Sequence, residues 1–460
     1  MAIAVLDVGK TNAKAILLDE AGDVLAQRSR PCAVLPRPPY PQLDLDGTWA
    51  WAVSALGELA ALAPVDSIVP VAHGAAGVLM AGDRPALPPL DYEHPGPEET
   101  ASELEGLLDP FLLTASPVLP LGMCLGAQLL WQQRSFPDAF ARASEFLLLP
   151  QYWAWRLSGV KATEVTSLGA HTHLWRPGER QFSGLVERCG WAGLFSPLRR
   201  AWESLGPVTP ELVAATGLPP DCRVLAGIHD SNASWLPHLV AREPPFTVLS
   251  TGTWVIAMAA GAALDRLDPA ADMLANVDAR GDPVPTARFM GGRELELVAG
   301  ADGLHAEATP TDVMAVIATG AMALPAFVAG SGPFLGRRGE IVGGPGPEPA
   351  RRAGLGALYA ALVVDAMLDR LGGDGPIVVE GGFQRNAAFC GLLAALRPGQ
   401  SVHATCDPSG TARGAWLLAR WNDRPRWPNS LPAPCSPWQV EGLAPYRARW
   451  RALSAGDRPA

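Results

Sequence analysis

The segment Asp7-Val-Gly-Lys-Thr-Asn-Ala-Lys14 combines a carboxylate, a glycine turn, hydroxyl and amide side chains, and two ammonium groups. Backbone N–H groups exposed at a glycine turn, together with cationic side chains, suit a triphosphate. Asp7 could hold Mg²⁺ through water, since hard cations prefer oxygen ligands. Taken alone, the segment could equally be a polar hairpin turn. The candidate phosphate-binding residues are Gly9, Lys10, Thr11, Asn12 and Lys14.

Gly9-Lys10-Thr11 looks like the end of a Walker A loop, but that interpretation fails on two counts. The motif requires a glycine five positions before Gly9, where this chain has Ala4. It also requires a helix next, whereas residues 13–19 (AKAILLD) have the pattern of a strand. A P-loop is therefore excluded.

Two further turns combine glycine with polar side chains. The turn Ser250-Thr-Gly-Thr253 offers phosphate donors, and Glu380-Gly-Gly-Phe-Gln-Arg-Asn386 is a strand-to-helix turn whose glycines let the backbone approach a flat ring or a ribose. Each turn alone has a purely structural alternative, a Thr-rich turn and a Gly-Gly turn. The candidate nucleotide-binding residues of these turns are Gly252, Thr253, Gly381, Gly382 and Asn386.

The run Gly227-Ile-His-Asp-Ser-Asn-Ala233 places an acidic residue just before the strand pattern that begins at residue 246. The carboxylate of Asp230 could accept a proton from a hydroxyl group while a phosphoryl group is transferred. The alternative is a helix cap, which Asp230 could equally be. His229 is expected to be a packed neighbour rather than a second base.

The strand patterns that position these residues occur twice. Residues 3–7, 13–19 and 24–30 form a predicted β-meander, and residues 246–259 repeat its strand, glycine turn and strand. In this repeat Asp7 falls on Ser250 and Gly9 on Gly252. Two such units, each opening half of the chain, are what a duplicated actin/hexokinase-type ATPase fold requires.

The remaining predicted elements are a helix over 48–62 with Thr48 as N-cap, a strand over Ile68–Ala72 ending at His73-Gly74, mostly loop over 83–120, helices over 123–133, 150–157, 386–396 and 443–453, a strand over 376–382, and a turn into a helix over 407–415.

These patterns predict an α/β protein with a two-domain actin/hexokinase-like (ribonuclease H-like) fold, a duplicated core and an interdomain cleft. The 460 residues exceed the size of a single core, and we expect domains over 1–240 and 241–460. The final helix is a candidate to pack back on the first domain.

Composition narrows the class of partner. The net charge of −10 argues against a nucleic-acid or anionic-membrane surface, and the longest apolar stretch is interrupted by the Ser250–Thr253 turn. The chain opens on a strand pattern without a basic leader, so we expect a cytoplasmic protein. The seven cysteines show no Cys-x-x-Cys pair, which is typical of reduced thiols rather than a zinc or disulfide framework. A small-molecule ligand is therefore expected, and a homodimer is left open.

The order and spacing of the four motifs resemble those of the FGGY carbohydrate kinases along nearly the whole chain. LDVGKTNAK is similar to the first phosphate motif, GIHDSNAS to the segment with the catalytic Asp, LSTGTW to the second phosphate motif and VEGGFQRN to the adenosine motif. Within the family, the motifs are most similar to those of rhamnulokinase and fuculokinase.

This resemblance implies ATP and Mg²⁺ as cofactors and a role for each matching residue. Asp230 would be the general base, Asp7 would hold Mg²⁺ through water, and adenine would lie against Gly382. Two departures from the pattern leave the nucleotide geometry open: the chain has Glu296 where rhamnulokinase has a nucleotide-contacting Gln, and Lys14 where relatives have Arg. The implied sugar-binding residues are His73, Gly74, His229, Asp230, Ser231 and Asn276.

The expected reaction is transfer of the ATP γ-phosphoryl group to a ketose or deoxyketose such as L-rhamnulose or L-fuculose, giving the 1-phosphate. A pentulose or tetrulose kinase of the same family is an alternative. Another is a non-catalytic protein of the same fold that senses sugar or nucleotide, although such a protein would not need a base at Asp230.

Overall fold

Strands and helices alternate through the first 241 residues. The computed structural model describes residues 2–405, 410–423 and 431–456. The strands of this first stretch are β1 (Ala2–Val8), β2 (Asn12–Leu18), β3 (Val24–Pro31), β4 (Val34–Leu35), β5 (Gln42–Leu43), β6 (Val65–Ala72), β7 (Gly77–Ala81), β8 (Arg84–Leu87), β9 (Glu145–Leu148), β10 (Trp175–Arg176), β11 (Gln181–Phe182), β12 (Ser204–Pro207), β13 (Arg223–Leu225) and β14 (Ile228–His229). Its helices are α1 (Leu45–Ala60), α2 (Ala101–Leu107), α3 (Phe111–Thr114), α4 (Leu125–Ser135), α5 (Pro137–Phe140), α6 (Leu149–Ser158), α7 (Val165–Leu168), α8 (Gly184–Arg188), α9 (Pro210–Thr216) and α10 (Asp230–Ala241).

The rest of the described chain also mixes strands and helices. Its strands are β15 (Phe246–Thr251), β16 (Val255–Ala260), β17 (Met273–Val277), β18 (Pro283–Phe289), β19 (Met322–Leu324), β20 (Glu340–Val342), β21 (Ile377–Gly381) and β22 (Val402–Ala404). Its helices are α11 (Gly291–Leu304), α12 (Pro310–Thr319), α13 (Pro349–Leu371), α14 (Ala387–Leu396), α15 (Gly410–Ala419) and α16 (Leu443–Ala455).

The chain divides into two units, and the division is not a single cut. Unit 1 contains Met1–Ala241 together with two later segments, Ala275–Pro283 and Ser409–Trp427. Unit 2 contains Arg242–Leu274, Val284–Pro408 and Pro428–Ala460. The chain therefore returns twice to unit 1 after unit 2 has begun.

The main sheet of unit 1 has the order β12-β13-β6-β1-β2-β3, with β14 also paired to β6. Strand β1 is antiparallel to β2 but parallel to β6. Ala4, Leu6 and Val8 of β1 join a hydrophobic cluster with α1 and α6, while α15 packs on β1 and β6. Because β1 is buried on both faces, it reads in the sequence as a continuous apolar run rather than as an alternation.

The main sheet of unit 2 repeats this arrangement with the order β17-β18-β16-β15-β21-β22. Strand β15 is antiparallel to β16 and parallel to β21, and β21 is parallel to β22. Thus β15 corresponds to β1, β16 to β2, β21 to β6 and β22 to β13. The repeat predicted from two short strand patterns is confirmed at the level of whole sheets, and with it the duplicated α/β fold.

Some element boundaries in the structure differ from those predicted from the sequence. Helix α1 begins at Leu45, because the side chain of Asp44 accepts a hydrogen bond from the N–H of Gly47 at 2.9 Å. Thr48, the predicted N-cap, is instead a buried residue inside the helix. The stretch 83–120, predicted as mostly loop, contains β8, α2, α3 and a 3₁₀ helix over Gly96–Thr100. Of the turn predicted over 407–415, residues 407–409 lie outside the described residues.

The predicted helix at the end of the chain is α16, and it packs within unit 2 rather than on the first domain. The hydroxyl of Tyr446 donates to the carbonyl of Ala321 at 2.8 Å, and the indole of Trp450 donates to the carbonyl of Ala323 at 2.7 Å. These two hydrogen bonds join α16 to β19 and to the residue before it in unit 2.

The described residues contain neither a membrane-spanning helix nor a disulfide bond. In residues 2–405, 410–423 and 431–456, no helix combines the length and the apolarity that crossing a membrane requires. In the same ranges, no disulfide bond is formed by Cys32, Cys124, Cys189, Cys222, Cys390 or Cys435, and Cys406 lies outside the described residues.

A buried carboxylate fastens α16 to α13. Asp365 has no exposed side-chain surface and accepts hydrogen bonds from Arg447 at 2.6 and 2.7 Å, and also from Arg397 and Arg451. Removing one partner of a buried ion pair leaves the others uncompensated, at a cost of about 3–5 kcal/mol.

We therefore expect Asp365→Ala to lower the Tm of the protein by roughly 6–20 °C, as this loss of stability implies for a unit of about 200 residues. Asp302→Ala is the matched control, because Asp302 is 70% exposed and its ion pair with Arg352 spans 3.7 Å. Exposed pairs contribute about 0–1 kcal/mol. Equal Tm values for the two variants in differential scanning fluorimetry would contradict this account.

Candidate active site

The carboxyl ends of three parallel strands meet in unit 1. In the register of the sheet, Asp7 of β1 pairs with Val71 of β6, and His229 of β14 pairs with Ala72 at the end of β6. His73 follows β6 directly, and Asp230 opens α10 directly after β14. Ligands of parallel α/β sheets bind at the carboxyl ends of the strands. The predicted residues Asp7, His73, His229 and Asp230 thus come together at this edge.

Asp7 lies in an environment that disfavours its negative charge. The pKa of Asp7 is raised to about 7, first by burial and then by the charge of Asp230, against the opposing effect of Lys14 on the neighbouring strand. A carboxylate held beside a second carboxylate gains from a bound cation, which compensates both charges.

The two oxygens of Asp230 have different surroundings. Its Oδ1 accepts the backbone N–H of Ser231 at 2.6 Å and lies 3.3 Å from the Ser231 hydroxyl. Oδ1 is also 3.2 Å from Nε2 of His229. No residue in the described part of the chain is a hydrogen-bond donor to Oδ2, and the side chain is 33% exposed. One oxygen is thereby held by the protein while the other is available to a ligand.

The predicted sugar-binding residues His73, Gly74 and His229 form one packed group. A methyl group on Gly74 would lie 2.8 Å from Nε2 of His229, so the glycine makes room for that ring. His73 Nδ1 lies 2.8 Å from the carbonyl oxygen of Gly74. Burial lowers the pKa of both histidines, so both rings are neutral at physiological pH.

Lys10, predicted to bind phosphate, forms an ion pair within unit 1. Its ammonium group contacts the carboxylate of Asp91, lies 3.8 Å from that of Glu93, and sits 4.4 Å above the ring of Tyr92. The ring of Tyr92 in turn packs edge-on against His73. Asp91, Tyr92 and Glu93 were not predicted from the sequence, because they lie in the stretch 83–120, which has no motif and was predicted to be mostly loop.

The remaining unit 1 candidates differ in exposure. Thr11 and Asn12 are exposed at the tip of the β1–β2 turn, which is closed by a hydrogen bond from the N–H of Gly9 to the carbonyl of Asn12 at 3.0 Å. Ser231 is exposed beside Asp230. Asn276 is 8% exposed on β17, next to Val277, against which Gly169 packs. Their ligand contacts remain predictions.

In unit 2, the predicted second phosphate turn is exposed at the end of β15. Gly252, Thr253 and Trp254 are all exposed. The N–H of Gly292, at the start of α11, donates to the carbonyl of Thr253 at 3.2 Å. A methyl group on Gly292 would lie 2.2 Å from the carbonyl oxygen of Gly252. The turn is therefore supported from behind by the first turn of α11.

Glu296, one of the two residues that depart from the family pattern, lies on the exposed face of α11. Its carboxylate pairs with the guanidinium of Arg293, one turn earlier, at 3.1 Å. A nucleotide contact of Glu296 remains a prediction.

The predicted adenosine turn is held by one hydroxyl. Thr251 Oγ1 donates to the carbonyl of Glu380 and accepts the N–H of Phe383 at 2.9 Å. Gly381 has φ +81°, and a methyl group there would lie 1.9 Å from the carbonyl oxygen of Thr251. Only glycine fits this position, for reasons internal to the fold.

Gly382 opens onto a cavity of about 360 Å³ within unit 2. Asn386 lies on its wall and also caps α14, since its side chain accepts the N–H of Phe389 at 2.9 Å. This volume is in the range of small-molecule pockets. The stretch 304–308 was missed from sequence because it carries no motif. The lining residues are Leu304, His305, Ala306, Glu307, Ala308, Ala353, Gly382, Arg385, Asn386, Ala387 and Ala388.

The residues present fit a magnesium–nucleotide complex. In the described residues, no three His, Cys, Asp or Glu side chains are grouped as a complete metal site. Mg²⁺ needs no such group, because it is held by one or two carboxylates, waters and substrate phosphates. The buried, charge-strained carboxylate of Asp7 suits that role.

Two sheets of the same topology, each with a polar turn at the end of its central strand, define the actin/hexokinase-like class of fold. The chain matches "FGGY family of carbohydrate kinases, N-terminal domain" over residues 114–236 and "Carbohydrate kinase FGGY, C-terminal domain" over residues 243–426. The protein belongs to the FGGY family of carbohydrate kinases.

Similar proteins agree with this assignment. The crystal structure of a carbohydrate kinase from Novosphingobium aromaticivorans is 38% identical with a TM-score of 0.90, over 99% of this chain and 98% of that one. L-fuculokinase from Escherichia coli K12 is 26% identical over 57% of each chain, and a rhamnulokinase from Halalkalibacterium halodurans is 28% identical over 28% of this chain and 27% of its own. The matched region thus spans a little over half the length of the fuculokinase.

We expect Gly382→Ala to raise the KM for ATP about fivefold or more without changing Tm. In the structure, a methyl group at Gly382 is 3.8 Å from its nearest neighbour, so the fold accommodates it. A methyl group added to a fitted site costs about 1–3 kcal/mol. Gly399→Ala is the control, since a methyl group there meets nothing within 4 Å. An unchanged KM for ATP in Gly382→Ala would show that the nucleotide does not lie against this turn.

Proposed function

We propose that this protein is an ATP-dependent kinase that transfers the γ-phosphoryl group to a hydroxyl of a ketose or deoxyketose, with an L-rhamnulose- or L-fuculose-like substrate and a sugar 1-phosphate as product. The observation that carries the proposal is Asp230, whose Oδ1 is held by the protein while Oδ2 is open. A protein that only bound sugar would have no need of a carboxylate oriented in this way.

In the proposed reaction, Oδ2 of Asp230 accepts the proton of the sugar hydroxyl while the hydroxyl oxygen of the sugar forms a bond to the γ-phosphorus. The bond from the γ-phosphorus to the bridging oxygen breaks, and ADP leaves with that oxygen. Phosphoryl transfer depends mainly on positioning and charge stabilisation, so a correctly placed base and a fixed acceptor are the main contributions of unit 1.

The sugar would be bound by uncharged or mutually neutralised groups. His73 is neutral because it is buried, and Lys10 is paired with the carboxylate of Asp91. The neutral ring and this ion pair favour a polyhydroxylated, uncharged ligand over a sugar acid. The names of the fuculokinase and rhamnulokinase relatives support a deoxyketose.

In unit 2, we assign the ATP phosphates to Gly252 and Thr253, and the adenosine to Gly381, Gly382 and the cavity beside them. In unit 1, the turn Gly9–Lys14 is a separate candidate for phosphate binding. Asp7 would hold Mg²⁺ through water. When bound, Mg²⁺ would neutralise charge that develops on the phosphates.

Two alternatives give different experimental outcomes. A pentulose or tetrulose kinase would release ADP with D-xylulose, ribulose or erythrulose rather than with a deoxyketose. A non-catalytic sensor would bind sugar and nucleotide without turnover. Because ATP is the proposed donor, we place the reaction in the cytoplasm.

A coupled assay for ADP release with L-rhamnulose, L-fuculose, L- and D-ribulose, D-xylulose, erythrulose and glycerol tests the proposal. We expect kcat/KM to be highest for L-rhamnulose or L-fuculose. A pentulose as the best substrate would replace the deoxyketose assignment. No turnover with any of these compounds, combined with measurable binding of sugar and ATP in calorimetry, would favour the sensor.

We expect Asp230→Asn to lower kcat by ~10²–10⁴, since the amide keeps the shape of the side chain but cannot accept the proton. ATP affinity, measured by calorimetry, should change little. Asp221→Asn, on the exposed turn before β13, is the control and should keep full activity. Activity of Asp230→Asn close to that of the unchanged protein would remove Asp230 from the role of base.

A further inference from the structure

The imidazole of His229 lies between the side chains of Asn232 and Asp230. Its Nδ1 is 3.2 Å from Nδ2 of Asn232, and its Nε2 is 3.2 Å from Oδ1 of Asp230. A neutral imidazole has a single N–H, so one ring nitrogen donates and the other accepts. Which nitrogen carries the proton decides whether the ring supports or opposes the Asp230 carboxylate.

The amide of Asn232 determines the answer. Its Nδ2 lies 3.4 Å from the backbone carbonyl of Thr166, and a carbonyl oxygen can only accept a hydrogen bond. That end of the side chain is therefore the NH₂ group, and its second hydrogen points to Nδ1 of His229. Nδ1 accepts this hydrogen bond, so the proton of the ring is on Nε2 and is donated to Oδ1 of Asp230.

Thr166, whose carbonyl accepts the hydrogen bond of Asn232, is held by the buried carboxylate of Glu164. Glu164 is 0% exposed and accepts the backbone N–H of Thr166 at 3.0 Å and its hydroxyl at 2.6 Å. Since the Thr166 hydroxyl gives its only proton to Glu164, its oxygen accepts the backbone N–H of His229 at 3.1 Å. Both the backbone and the ring of His229 are thus held through Thr166.

We propose that Glu164, Thr166 and Asn232 are positioning residues that act through His229. They hold its Nε2–H tautomer against Oδ1 of Asp230 and so leave Oδ2 facing the acceptor hydroxyl. This inference rests on the proposed function, in which Asp230 is the base. None of the three positioning residues donates to Asp230 itself in the described chain.

The arrangement has a chemical consequence for proton transfer. Oδ1 keeps its donors, Nε2–H of His229 and the N–H of Ser231, both before and after Oδ2 takes the proton of the sugar hydroxyl. The carboxylate therefore need not rotate during the reaction. With the opposite tautomer, a lone pair of Nε2 would face Oδ1, and the carboxylate would be driven out of this orientation.

Kinetics of Thr166 variants provide the first test. We expect Thr166→Val, which has the same shape without the hydroxyl, to lower kcat roughly 10- to 100-fold with the KM for sugar and for ATP within twofold, because misplacement of a reacting group costs rates of this order. Thr166→Ser keeps the hydroxyl and should restore most of kcat. Thr163→Val is the matched control, since the Thr163 hydroxyl is equally buried but has no hydrogen-bond partner among the described residues.

The outcomes of that test are distinct. If Thr166→Val has the same kcat as Thr163→Val, the positioning role is wrong. If the KM for sugar rises while kcat is unchanged, His229 binds the sugar instead of orienting the base, and the inference also fails. Should Thr166→Val not fold, Asn232→Leu removes the amide from Nδ1 and is expected to show the same loss of kcat.

A second test reads the tautomer directly and does not depend on activity. In the ¹⁵N NMR spectrum of histidine-labelled protein, the His229 signals, identified by their loss in His229→Gln, should show a protonated Nε2 and an unprotonated Nδ1. In Asn232→Leu, the Nδ1–H tautomer should appear. A protonated Nδ1 in the unchanged protein would overturn the inference.

Failure of the inference and failure of the proposed function can be told apart. If Asp230→Asn is inactive while Thr166→Val and Asn232→Leu have full kcat, Asp230 is the base and the positioning network is wrong. If Asp230→Asn keeps its activity, the proposed mechanism fails, whatever tautomer His229 has.

Discussion

Two carboxylates held close to one another where three parallel strands end are the constraint on which the rest of unit 1 depends. Burial and the charge of Asp230 raise the pKa of Asp7 to about 7, so the site favours a bound cation at neutral pH. The parallel pairing of β1, β6 and β14 creates this strain, because it aligns the carboxyl ends of strands that are far apart in the chain. Perturbed carboxylates of this kind are typical of functional sites, which agrees with the proposed roles of Asp7 and Asp230.

The surroundings of these carboxylates limit where each can move. Gly74 leaves room for the ring of His229 beside Asp230. The buried side chains of Glu164 and Asn232 hold Thr166 and His229 by hydrogen bonds. Buried polar groups are costly unless each donor and acceptor is matched, and a matched network is correspondingly rigid. Unit 2 has a similar matched group, because the hydroxyl of Thr251 both donates and accepts a hydrogen bond that holds the Gly381-Gly382 turn.

Much of the fold could be predicted from the chain. The strand patterns at 3–7, 13–19 and 246–259 became β1, β2, β15 and β16, because a buried β-strand flanked by glycine turns is specified by nearby residues. The N-cap of α1 was misassigned to Thr48 because Asp44 and Thr48 are both good caps, and the choice depends on where the chain enters the helix. The packing of α16 in unit 2 depends on Asp365, 78 residues before the helix begins, and no local pattern reports such a contact.

The sequence by itself determined the motifs: Asp7 with its glycine turn, the Thr253 turn, the Gly381-Gly382 turn and Asp230 each have a type and spacing suited to phosphate or proton transfer. Only the tertiary structure decided which groups face one another. Lys10 pairs with Asp91, and the proposed tautomer of His229 follows from Asn232 and Thr166. The physical reason is that residue type sets what a side chain can donate or accept, whereas its partner is chosen by strand register and burial between segments distant in the chain.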